Sequence, residues 1–180
     1  MKRVLVAGIG NIFLGDDAWG VEVVRRLLKT GLPENVHAED FGIRGVHLAY
    51  EILNGYGTVI LVDAAPRGEE PGTVYVMEID ACATAATSDG LGEAGSGVMD
   101  AHRMDPATVV ALVSALGGQV RKLLLVGCEP QGVDEGAELS APVRAAVDEA
   151  VSVIGQLLDE VGNGATHSSV AAGSEVDAVG

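Results

Sequence analysis

The chain has 180 residues, enough for one domain with a sizeable core, and 48% of them are hydrophobic but only 3% aromatic, so that core is built of Val, Leu, Ile and Ala. A formal charge of −15 speaks against nucleic acid and anionic membrane surfaces as partners. The two cysteines, Cys82 and Cys128, form neither a disulfide framework nor a zinc–cysteine motif.

Strand and helix patterns alternate along the chain. "RVLVAGI" (3–9) is a continuous apolar run, as a strand buried on both faces of a parallel sheet requires. It reads as a first strand rather than a signal peptide. "DAWGVEVVRRLLKT" (17–30) has helical periodicity. Val21, Val24 and Leu28 form a stripe with Val23 and Leu27 beside it, and Asp16 or Asp17 is expected to cap its start. "NVHAED" (35–40) predicts a short strand and "VHLAYEILNG" (46–55) a helix ended by Asn54 and Gly55. "TVILVDA" (58–64) is a second buried strand, and "PGTVYVMEI" (71–79) a more amphipathic one that suits a sheet edge. Residues 81–98 have the composition of a long loop. "DPATVVALVSALGG" (105–118) predicts a helix with Asp105 as N-cap. "RKLLLVGC" (121–128) is the last strand. Residues 140–161 form a long helix with Ser140 as N-cap and Val143, Val147, Ala150, Ile154, Leu157 and Val161 as its apolar stripe. One α/β domain over 1–161 is expected, with 162–180 as a disordered tail. The architecture is a three-layer α/β/α sandwich, a mostly parallel twisted sheet of about five strands with helices on both faces. No apolar run approaches the roughly 20 residues that span a bilayer, and a cytoplasmic protein without membrane insertion is the expectation.

Functional groups of such folds gather beyond the carboxyl ends of the strands. There the sequence places Asp16 and Asp17 after the first strand, Asp40, Gly42 and Gly45 after the second, and Asp63 at the end of the third. His102 comes just before the helix at 105. Carboxylates brought together this way repel one another unless a cation or proton lies between them. Three readings compete. Gly8-Ile9-Gly10 begins a dinucleotide fingerprint, but its sixth position is Phe13 and two acids would crowd the pyrophosphate. A phosphoacceptor receiver domain would use Asp16, Asp17 and Asp63, but it needs a lysine where this chain has Val126-Gly127-Cys128. A transition-metal site would use two carboxylates and an imidazole, leaving positions open for water or substrate.

Five segments in order, "GIGNIFLGDDAWG" (8–20), "DFGIRG" (40–45), "VILVDA" (59–64), "DAHRMDP" (100–106) and "VGCEP" (126–130) followed by "LSAPVRAAV", resemble the maturation endopeptidases of [NiFe] hydrogenases. The resemblance runs from Arg3 to about Val161, with one departure at "AWG" (18–20), where many relatives have Gly before the next apolar residue. It implies a hydrolase classed among aspartyl-type peptidases, with Asp17, Asp63 and His102 as metal ligands. Asp16 is assigned the helix cap. Asp40, Gly42 and Gly45 take supporting roles, with Asp40 bonding within the second motif. The implied substrate is the precursor of a hydrogenase large subunit, from which a short C-terminal extension is removed after nickel insertion. The implied metal is nickel, supplied by the substrate, although other divalent metals could occupy the same ligands. Two mechanisms remain open, attack by a metal-bound water and use of the substrate's nickel as a recognition contact. No Ser/His/Asp order or Cys–His pair points to a covalent nucleophile. A non-catalytic metal-sensing or docking protein on the same fold is the alternative.

Overall fold

The computed structural model describes residues 3–80 and 106–162. The expectations for the loop at 81–98, for the cap at Asp105 and for the tail lie outside those residues. Five strands, β1 (Val4–Ile9), β2 (Val36–Gly42), β3 (Thr58–Ala64), β4 (Val74–Ile79) and β5 (Leu123–Cys128), form one sheet in the order β2-β1-β3-β5-β4. β1 runs parallel to β2 and β3, and β3 parallel to β5, while β4 is antiparallel to β5 at the edge. The runs read as buried on both faces are so: every residue of β1 and β5 is buried. The amphipathic run became the edge strand, with one face partly open.

Alternation along each strand divides the core in two. Val4, Val6, Ile60, Val62, Leu124 and Val126 face α1 (Trp19–Leu27) and the long α4 (Ala141–Gly162). Leu5, Ala7, Val59, Leu61, Leu123 and Leu125 face α2 (Gly45–Ile52) and α3 (Pro106–Ala115). The result is the three-layer α/β/α sandwich. The apolar stripe of α4 lies in the core as expected, with Val143, Ala150 and Ile154 buried and Val147, Leu157 and Val161 packed beside them.

Two local expectations are corrected. The first helix does not begin at the aspartates: Gly15–Ala18 form a 3-10 turn, and α1 begins at Trp19 with no side-chain cap. Leu28 is not part of the buried stripe but half exposed, because the helix ends at Leu27 and the chain turns away toward Gly31. Among the described residues, no helix is long and apolar enough to cross a membrane.

The strand order places β2 and β3 on opposite sides of β1, so the chain reverses its direction of winding between β1 and β3. In open α/β sheets the crevice at such a reversal, beyond the carboxyl ends of the strands, is where ligands bind.

Candidate active site

The loop after β1 is folded back onto the 3-10 turn. Gly10 has φ 133°, and a Cβ there would lie 1.7 Å from the carbonyl oxygen of Asp17, so no side chain fits without moving the turn. The backbone amide of Asn11 donates to Asp17 Oδ2 at 2.7 Å, and the Asn11 side chain accepts from the Phe13 amide at 3.0 Å. The loop therefore fixes the orientation of the Asp17 carboxylate. Gly20 seats the start of α1 on the sheet, because a Cβ there would be 2.1 Å from the carbonyl oxygen of Val62 and 2.4 Å from that of Ile9. Asp17 thus lies in the 3-10 turn between the Gly10 loop at the end of β1 and the start of α1, which Gly20 seats against the ends of β1 and β3.

Asp63 is half-buried near the end of β3. It follows Val59 and Leu61 on the face of the sheet covered by α2 and α3. Its partner across the ladder is Gly127, whose partner in turn is Tyr75 on the edge strand. The Tyr75 ring lies over Gly127, where a Cβ would come within 2.2 Å of it. The phenol reaches across β5 and donates to the Ala65 carbonyl at 2.7 Å. Burial pushes the Tyr75 phenol up to about 12. The Arg67 guanidinium opposes that shift, and Asp63, Glu129 and Cys128 add to it. Tyr75 therefore stays a neutral donor at physiological pH. Sequence reading passed over Tyr75, because only the register shows that it shares a row with Asp63.

Asp16 has a different task from the one the sequence suggested. It does not cap α1. Its buried carboxylate accepts from the amides of Gln131 (2.7 Å), Gly132 (3.0 Å) and Ser140 (2.7 Å) and from the Ser140 hydroxyl (2.9 Å). Ser140 does occupy the N-cap position, its carbonyl accepting the first bond of α4 from Arg144, but its hydroxyl goes to Asp16. Asp16 thereby ties the turn carrying Asp17 to the loop after β5. Glu129 is buried and accepts from the Arg67 amide at 2.6 Å. Bonds from the amides of Arg67, Glu69 and Gly68 outweigh burial and hold its carboxyl below the ordinary range. Glu129 thus moors the loop that follows Asp63.

The second motif is organised by a bulge. Gly8 pairs with Asp40 and Ile9 with Gly42, so Phe41 is the extra residue, and it turns into the core. Gly42 has φ 54° and accepts at its carbonyl from the Gly10 amide, joining the first two motifs. Gly45 opens α2. The carboxylate of Asp40 does not bond within its motif but accepts from Arg25 on α1 at 3.0 Å. The link inside the motif is made by the Asp40 carbonyl, which accepts from Arg44. Arg44 also donates to the Phe41 carbonyl.

His102 lies outside the described residues. α3, which begins shortly after it in sequence, packs on the same face of the sheet to which Asp63 belongs. Among the described residues, no three His, Cys, Asp or Glu side chains form a metal-holding group. The described portion contributes two carboxylates, Asp17 on the turn after β1 and Asp63 near the end of the adjacent β3, oxygen donors of the kind divalent cations take.

Cys128 is fully buried, and burial, with Asp16, Glu149 and Glu129 adding to it, pushes its thiol up to about 12. The nucleophile is the thiolate, so Cys128 offers none at neutral pH. In a Cys82→Ser background, a thiol reagent at pH 7.5 is expected to modify Cys128 only at the rate of unfolding. Rapid stoichiometric labelling of the native protein would contradict this.

Large apolar side chains are exposed around the same rim: Ile12 and Phe13 after β1, Ile43 and Val46 after β2, and Val133 after β5. The Gly136 amide donates to the Phe13 carbonyl, holding two of these loops together.

The hydrogenase maturation protease family matches residues 21–157, a span containing Asp63 and His102. The hydrogenase expression/formation protein HupD of Rhizobium leguminosarum bv. viciae is 34% identical over 158 residues, covering 84% of this chain and 74% of that one. The hydrogenase maturating endopeptidase HybD from E. coli superposes with a TM-score of 0.68 at 28% identity, covering 89% of this chain and 94% of the other. A hydrogenase 2 maturation peptidase from a Thaumarchaeota archaeon does so at 0.65 and 30%, covering 87% and 98%.

Proposed function

The chain belongs to the hydrogenase maturation protease family and is a peptidase hydrolase, and from that premise we propose that it removes the C-terminal extension of a [NiFe] hydrogenase large-subunit precursor. On this reading the cut follows nickel insertion, and the nickel arrives with the substrate. Asp17, Asp63 and His102 are the groups that engage it. The observation that supports the reading is that Asp17, on the turn following β1, and Asp63, near the end of the adjacent β3, belong to the winding reversal of a sheet shared with endopeptidases.

The residues around the two acids suit the task. The Asn11 amide holds Asp17 in one orientation, and the sheet ladder holds Asp63. Preset donors lose little freedom when a ligand arrives. The exposed apolar rim suits a protein substrate rather than a small metabolite. With Cys128 held as a thiol, a covalent route through it is disfavoured. Water is the attacking group most consistent with two carboxylates and a cation.

Nickel dependence is tested with two preparations of one precursor, nickel-loaded and nickel-free. The purified protein is expected to shorten the loaded form at least about tenfold faster, the size of a modest coupling between metal recognition and cleavage. Equal rates on both would remove nickel from the account while leaving the peptidase. Binding of the loaded form without cleavage would favour a docking role instead.

A further inference from the structure

Arg67 combines three features. Its guanidinium stacks on the Tyr75 ring, 4.7 Å from the centroid, and that ring lies in the same sheet row as Asp63. Its backbone amide is fixed by the buried Glu129 carboxylate. Its side chain is exposed, and among the described residues it forms no ion pair, although the chain carries a charge of −15. The Glu129 carboxylate is engaged chiefly by backbone amides, with the Arg67 guanidinium adding only a smaller electrostatic pull on it and no ion pair within 4 Å.

An arginine held at both its backbone and its side chain has its planar donor fork set in advance. The stack uses the face of the guanidinium and leaves its N–H edge for another group. That edge matches a carboxylate in two-pronged geometry. We propose that Arg67 is a substrate-positioning residue, taking a carboxylate of the precursor's C-terminal extension and laying that segment beside Asp63. The proposal rests on the reading of this chain as a processing protease. The carboxylate belongs either to the chain terminus or to an acidic side chain of the extension.

The test is steady-state processing of nickel-loaded precursor by the wild type, Arg67→Gln and Arg67→Lys. Arg67→Gln is expected to raise KM about tenfold with kcat within about twofold, as loss of a binding contact away from the reacting bond does. Arg67→Lys, which keeps the charge but not the fork, falls between the two. Two altered precursors identify the source: one with the extension's Asp and Glu changed to Asn and Gln, the other ligated to carry a C-terminal amide. On whichever lacks the recognised carboxylate, wild type and Arg67→Gln converge in KM. An unchanged KM for Arg67→Gln on the native precursor overturns the proposal. So does a KM difference that persists undiminished on both altered precursors. If wild type cleaves no precursor at all, the functional reading falls and this inference with it.

Discussion

Replacing Asp63 by Asn is expected to slow precursor processing by at least about a hundredfold, the scale at which even the supporting partners of metal ligands act. Asp17→Asn and His102→Ala are expected to do the same. Asparagine keeps the size and shape of aspartate and one carbonyl oxygen, so at position 17 it can still accept from the Asn11 amide. At position 63 it fits the same half-buried strand end. What both changes remove is the anion, and a divalent metal ion takes its carboxylate ligands deprotonated. Loss of rate with an unchanged unfolding temperature therefore reports the site and not the fold. The comparison is made with purified variants on one nickel-loaded precursor. Wild-type rates in all three would dismantle the site assignment.

Asp16→Ala should produce the largest loss of stability. The carboxylate is 1% exposed and accepts four hydrogen bonds that join the turn after β1 to the loop and helix after β5. Its removal orphans three backbone amides and opens a small cavity. Breaking a buried charged network of this kind costs about 3–5 kcal/mol, against a typical total of roughly 5–15 kcal/mol. For a chain of this size that corresponds to a fall in Tm of about 6–20 °C, readable by calorimetry.

The same carboxylate gives stability a pH dependence. Burial pushes its pKa up, but the amides of Ser140, Gly132 and Gln131 and the Ser140 hydroxyl outweigh burial and hold it below the ordinary 3.8. The unfolded chain therefore binds this proton more readily than the folded one. The contribution of Asp16 is complete above the ordinary value and is lost as pH falls through the depressed one. The stability gap between wild type and Asp16→Asn is accordingly constant from about pH 5 to 8 and closes below about pH 4. A gap that widened on acidification would contradict the assignment.

Much of the scaffold was legible because its signals are local. The apolar runs of β1, β3 and β5 admit little but buried parallel strands, and the mixed run of β4 marked the edge. Asp17 and Asp63 could be placed at strand ends from the same runs. What was not legible depends on partners distant in sequence. Asp16 beside a helix start looks like a cap, and its true partners, Gln131, Gly132 and Ser140, lie more than a hundred residues on. Tyr75 and Arg67 join Asp63 only once β4 is known to run antiparallel beside β5 with Gly127 between them. Leu28 satisfied the helical period, but period alone does not show that the helix stops one residue earlier. The family resemblance supplied the ligand set that pattern left open among three chemistries.

The central claim, that this chain cuts a hydrogenase large-subunit precursor, is met most directly by intact-mass spectrometry. Nickel-loaded precursor is incubated with the wild-type protein and, in parallel, with Asp63→Asn. The account predicts that the wild type converts the precursor to one shorter species, lacking a single C-terminal fragment, while Asp63→Asn leaves the mass unchanged. A precursor of unaltered mass after incubation with the wild type would contradict it.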